Sequence, residues 1–301
     1  MALVQQEEIS QLKAAYSPLQ KRSLANRRRL DVTVKGLSTL GALIGLFFLV
    51  WILYEVVLRG LRSFNWAFFT ELPSPPGVPG GGMANAILGT VLITLLAALM
   101  GTPIGILGGV FLAEFGKGSR LASFIRSVTN LLIGVPSIIV GVFVYTLMVA
   151  PMKTFSGLAG AVSLAVIMLP VVVRTTDEIL NMVPDSLRES GLALGASRQQ
   201  TTLGLVFRAA RSGMLTGVLL AVARVSGETA PLLFTALNNP YWIRSLAEPT
   251  ANLTVTIFNY AMSPYDDWIS KAWGASLLIM IGVLALSIIA RAAIREKTGK
   301  G

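Results

Sequence analysis

The chain has 301 residues, 53% apolar and only 13% charged, with a mean hydropathy of +0.69, whereas a soluble globular chain is about a quarter charged. Its apolar residues come in runs long enough to cross a bilayer as helix, so an all-α polytopic membrane protein is expected. The lack of Cys and His removes disulfides, thiolate nucleophiles, imidazole bases and His/Cys metal sites, and a net charge of +10 spread between apolar spans argues against nucleic acid.

In chain order, residues 1–35 read as a polar cytoplasmic arm, amphipathic or disordered, with Gln5, Glu7 and Glu8 early and Arg27, Arg28, Arg29 and Lys35 late. The first apolar span, 36–57, has no small-residue cleavage site after it and reads as a retained helix. An external loop, 58–85, is rich in turn formers from Pro73 to Gly82. Five further spans are expected at 86–112, 128–150, 157–173, 213–237 and 272–290, with boundaries good to a few residues. Pro103, Pro136 and Pro170 lie inside the second, third and fourth, where they can kink a helix. Gly101, Gly105 and Gly109 repeat the small-residue spacing of tight helix packing. Gly116-Lys117-Gly118-Ser119 is no phosphate loop, since Phe111 stands where its first Gly belongs and Gly118 follows the Lys; ATP hydrolysis must come from another chain. The outer segment 238–271 carries Tyr241, Trp242, Tyr260, Tyr265 and Trp268, aromatics suited to an interface.

Six spans with the N-terminus in the cytoplasm place nineteen Lys and Arg inside, from Lys13 to Lys300, and five outside: Arg59, Arg62, Lys153, Arg244 and Lys271. That asymmetry predicts both termini in the cytoplasm, with a short tail at 296–301.

The inner loop 175–212 is unusually long. Pro184 and Asp185 open a helix, Ser186 and Glu189 have capping-box spacing, and Gly195 supplies the left-handed residue that ends it. Ser197 and Gln200 have the spacing to start a second helix. In the fifth span, Arg224 and Glu228 stand four apart, which puts them on one helix face. Ionisable groups at membrane depth face protein or water. Either the pair is structural, or Arg224 lines an anion path, where a planar guanidinium binds phosphate oxygens two at a time.

The run Glu189-Ser190-Gly191, three residues, then Gly195-Ala196-Ser197 resembles the EAA loop of ABC-importer permeases, with Ser and Gly in place of two alanines. The run from Arg224 to Leu237 resembles the signature of the phosphate-specific permeases of that class. So do Gly82 to Ile87, Gly134 to Gly141, Leu169 to Thr176 and Ala261 to Pro264.

The resemblance implies an ABC-permease bundle over 86–295 and a cytoplasmic loop that docks a separate ATPase through Glu189, Ser190, Gly191, Gly195, Ala196 and Ser197. It also implies a path for phosphate lined by Arg224, Glu228 and Arg174. No catalysis and no cofactor are expected in this chain, with ATP and Mg on the partner ATPase. The implied partners are a second homologous permease, two cytoplasmic ATPase subunits and an extracytoplasmic phosphate-binding protein, all at the inner membrane. The alternatives are a permease for another oxyanion or solute and a secondary transporter driven by ion gradients. A membrane scaffold without transport is also conceivable, but it leaves Arg224 and Glu228 unexplained.

Overall fold

Bilayer-length apolar runs form helices because only intrahelical hydrogen bonds satisfy the backbone in hydrocarbon. The computed structural model describes the backbone of residues 2–298 and the side chains of residues 26–292. The side chains of Gln5, Glu7, Glu8, Lys297 and Lys300 lie outside the described residues. Among the described residues the chain is helical, with one isolated bridge, Pro73 to Gly81.

Residues up to Glu55 form one compact unit and residues from Val56 onward the other. The first unit lies within α1 (Ala2–Arg62), whose segment Asn26–Arg62 is long and apolar enough to cross a membrane. Arm and first span thus form one helix, which continues past Val57 into the expected loop.

In the second unit, α2 (Trp66–Thr70) is a short helix capped by Asn65, whose side chain accepts from the Phe68 amide. Then come α3 (Ala84–Val110), extended by a π turn (Phe111–Phe115), and α4 (Arg120–Ile133). Next is α5 (Ser137–Val144), which continues through a π turn (Tyr145–Val149) into α6 (Ala150–Met152). Helix α7 (Gly157–Asn181) follows, then α8 (Asp185–Ala193) and α9 (Arg198–Thr201), which runs through a third π turn (Thr202–Val206) into α10 (Phe207–Val225). The chain closes with α11 (Ala230–Leu233), α12 (Leu253–Ala261) and α13 (Asp266–Thr298).

The glycine row fixes the central packing. Built Cβ atoms on Gly101, Gly105 and Gly109 would come within 3.3 Å of Ala165, 2.7 Å of Val172 and 2.4 Å of Thr176, so α3 lies directly on α7. Both residue numbers rise together, which makes the two helices parallel. The segment 116–156 between them must therefore cross back. It does so as a broken span: α4 and the Ser137–Met152 helix meet at 101°.

The expectation of a merely kinked helix at 128–150 is corrected here. The break falls at Gly134-Val135-Pro136, because Pro136 lacks the amide the ladder needs and its neighbour is driven out of the helical region. Among the described residues five helices are long and apolar enough to span, and the broken pair, taken as one span, makes six.

Helix α10 runs antiparallel to α7, with Gly213 at Ile179 and Gly217 at Thr175. Helix α13 runs antiparallel to α10, with the Thr216 hydroxyl donating to the Ala290 carbonyl at 3.0 Å. Ile93, Ala97, Leu164, Met168, Val172, Ala221 and Val225 form the buried centre. Just past α1, the Ser63 hydroxyl donates to the Ser270 carbonyl and ties this segment to α13. Buried Lys271 donates to Asp267 at 2.6 Å and to the Gly80 carbonyl, which holds the Pro/Gly segment in place.

Candidate functional site

Helix α10 stops at Val225, and the chain passes through Ser226, Gly227, Glu228 and Thr229 before α11 begins. Arg224 and Glu228 therefore do not share a helix face, and no ion pair joins them among the described residues, which corrects the sequence expectation. They still converge: both line a cavity of about 130 Å³ with Leu132, Ile133, Val135, Ser137, Ile167 and Val171. The α7 residues in that lining lie near the middle of the helix, hence at mid-membrane depth. Two helix breaks meet there, Gly134-Val135-Pro136 between α4 and α5 and Ser226–Thr229 between α10 and α11. Their close approach is direct, since a Cβ on Gly141 would lie 2.6 Å from the Pro231 Cα. Irregular backbone at membrane depth is tolerated where protein covers it or it lines a watery cavity. The amino end of α5 points positive dipole toward the space that Arg224 shares.

Arg174 lies one turn further along α7 from Val171, in a neighbouring groove lined by Leu112, Arg126, Thr129, Asn130, Asp177 and Glu178. Its Nε donates to Glu178 at 2.7 Å in an exposed i,i+4 pair. Sequence reasoning missed the better-held pair beside it. Arg126 Nε and Nη2 donate to the two Asp177 oxygens at 2.7 and 3.0 Å, and Nη2 also donates to the Leu112 carbonyl at 2.8 Å. By sequence Asp177 falls in the expected inner loop just past the fourth span and Arg126 in the expected loop before the third, so no local spacing pairs them. A larger cavity of about 470 Å³ lies at the outer end between Pro73, Met83, Tyr241, Tyr260 and Trp268. Its described lining carries no Asp, Glu, Lys or Arg, so size does not make it the better candidate for an anion.

The inner loop is shorter and more helical than 175–212, because α7 continues to Asn181 and the helical run resumes at Arg198. Helix α8 begins after Pro184 with no side-chain cap, so the Ser186–Glu189 box does not form. Its far end matches the sequence: Gly195 has φ of +83°, its amide donates to the Leu192 carbonyl and the Ala196 amide to the Gly191 carbonyl. These two bonds make a Schellman ending. Ser197 and Gln200 then form a reciprocal capping box for α9.

Gly191 is buried where α8 meets the next helix, and a Cβ there would lie 2.8 Å from Thr201. Glu189 and Ser190 face outward, and Ser190 donates to the Ser186 carbonyl. Met182 and Leu194 are 81% and 87% exposed and, with Leu192, leave an apolar patch on this loop, while Leu203 is exposed in the π turn beyond it. Behind that patch the loop is anchored by Arg188, which donates to Glu114 at 2.6 Å. The hydrogen bond to Glu114 raises the Arg188 pKa above its ordinary value, more than burial lowers it.

A family model described as binding-protein-dependent transport system inner membrane component matches residues 105–296. The phosphate transport system permease protein PstA of Yersinia pestis is 47% identical, covering 92% of this chain and 94% of its own. The protein of the same name from Haemophilus influenzae is 48% identical over 87% of this chain and 93% of its own. Among solved structures, an inward-facing MetNI methionine ABC transporter matches with a TM-score of 0.59 and 20% identity, covering 71% of this chain and 96% of that one. A bacterial alginate ABC transporter matches with a TM-score of 0.63 and 14% identity, covering 91% and 97%. At those identities the two structures speak for the fold alone.

Proposed function

We propose, from the premise that the chain belongs to the PstA family of phosphate transport system permeases, that it forms half of a phosphate path and opens it under the control of a separate ATPase. The chain is a multi-pass permease subunit of an ATP-driven phosphate importer and not an enzyme. The observation that carries the path is Arg224 at mid-depth, where two broken helices leave a cavity.

Phosphate is a multivalent anion that must shed water to cross. A guanidinium offsets its charge and offers paired donors to its oxygens. Glu228 lines the same cavity with no ion pair to Arg224, and a carboxylate there weakens the hold on an anion, so phosphate leaves as readily as it enters. Arg174 on α7, one turn past Val171 toward the inner loop, is a second guanidinium, in the neighbouring groove.

On this reading, the exposed apolar patch and Glu189 meet an ATPase on the cytoplasmic side, and both termini lie there too. ATP and Mg act on that partner. A second homologous permease completes the path, two ATPase subunits drive it, and an extracytoplasmic phosphate-binding protein delivers the substrate. Reconstitution with these partners in vesicles tests the assignment: phosphate uptake should need ATP inside and withstand excess sulfate or molybdate. Uptake driven by an ion gradient without ATP would sink it, and equal transport of the competing oxyanions would move the substrate elsewhere.

A further inference from the structure

A heavily bonded ion pair lies outside the path, at the root of the inner loop. Glu114 sits in the π turn that ends α3 and is 4% exposed. It accepts from Arg188 Nη2 at 2.6 Å and from Nε at 3.1 Å. The same guanidinium donates from Nη2 to the Leu180 carbonyl at 2.7 Å and from Nη1 to the Val183 carbonyl at 2.6 Å and Asp185 at 3.1 Å. All five of its N–H groups are used. One side chain of α8 thus grips the ends of both α3 and α7. Arg198, at the start of α9, donates to the Glu114 carbonyl and lies over the Phe115 ring at 5.4 Å. Lys117 reaches Asp185 at 3.3 Å and closes the cluster from outside.

We infer that Glu114 and Arg188 form the joint that transmits movement of the inner loop to α3, with both acting as positioning residues for coupling. This rests on the reading that the loop docks an ATPase. A buried ion pair is poor evidence for stability, since well-packed apolar residues of similar volume often do as well or better. What a bidentate pair supplies and an apolar contact lacks is a fixed direction and distance. The load has a continuous route onward. Helix α3 packs rigidly on α7 along its glycine row, and its Ile93 and Ala97 touch the buried layer that holds Val225, next to Arg224. The Arg126–Asp177 pair ties α4 to the same helix end through the Leu112 carbonyl. Movement of α8 therefore reaches both walls of the cavity.

The test uses the assembled importer in vesicles and reads phosphate moved per ATP hydrolysed, with ATPase co-purification as a separate measurement. Glu114→Leu with Arg188→Met removes both charges and fills the space, so assembly and ATPase recruitment should stay at wild-type level. Phosphate per ATP should fall about tenfold, the size of a modest coupling free energy. Arg188→Lys keeps the charge and loses the planar fork; it should lower the same ratio, and it decides the matter if the double variant does not assemble. A wild-type ratio in an assembled variant of either kind overturns the joint. Leu194→Asp with Leu203→Asp tests the underlying reading by itself: it should strip the ATPase from the chain, and an ATPase that stays bound overturns the docking reading first.

Discussion

The isolation of Arg224 from Glu228 changes what their mutation should do. Had they been an ion pair, neutralising one would strand the other at a cost of about 3–5 kcal/mol, and neutralising both would restore assembly. Sharing a cavity without a bond, they should act independently on assembly. Arg224→Gln, Glu228→Gln and the double variant should therefore all give near-normal yield of complex, with no rescue between them. Arg224→Lys should assemble normally and lose phosphate uptake by about an order of magnitude, because an ammonium cannot present paired donors to an oxyanion. Uptake at the wild-type rate in Arg224→Lys would remove Arg224 from the path. Arg174 calls for a different expectation of its partner. An exposed i,i+4 pair is worth about 0.3–0.5 kcal/mol, so Glu178→Gln should leave thermal stability nearly unchanged. A large drop in melting temperature would show that the pair is buried in the assembled importer.

Among the elements, the parallel contact of α3 and α7 is a demanding one, since it leaves no room for a methyl group at Gly105. Gly105→Ala should destabilise by about 1–3 kcal/mol, the usual cost of overpacking. Val172→Ala removes one of the two atoms it would strike, the Cγ1, and leaves the Cβ, so the double variant should regain part of the loss in a thermal unfolding measurement in detergent. Additive destabilisation would mean that the two helices are not in this register. The inner loop depends instead on backbone conformation. Gly195→Ala forces a side chain into the left-handed region at a cost of about 1–2 kcal/mol. The turn between α8 and α9 should loosen, and ATP hydrolysis should lose its dependence on phosphate delivery while the bundle itself stays folded. Unchanged coupling would show that the turn tolerates another shape.

For the molecule as a whole, the distribution of basic residues sets the expected orientation. On that expectation the inner loop and both termini lie in the cytoplasm. The chain has no Cys, so a single introduced thiol reports one position cleanly. Leu194 is exposed on the inner loop and Val78 on the outer segment. A membrane-impermeant thiol reagent should label Val78→Cys in right-side-out vesicles and Leu194→Cys only in inverted ones. The opposite pattern would reverse the topology and move the proposed ATPase contact to the wrong side.

Much was legible in the chain itself, because it depends on local chemistry. Apolar run length gives the helices, Gly195 and the Ser197–Gln200 pair give the ending of one helix and the start of the next, and the glycine row gives a packing face. Each of these acts within a few residues, so spacing reveals it. The site was legible only in part. Spacing put Arg224 and Glu228 on one helix, but the helix ends between them, where Pro231 and Gly141 bring two broken segments together. The full break at Pro136 became evident only from the parallel course of α3 and α7, which forces the chain between them back across. Glu114 and Arg188 stand 74 residues apart, and Arg126 and Asp177 stand 51 apart. No local preference pairs such residues. A buried charge finds its partner only when the helices that carry both have packed, and that packing belongs to the tertiary structure.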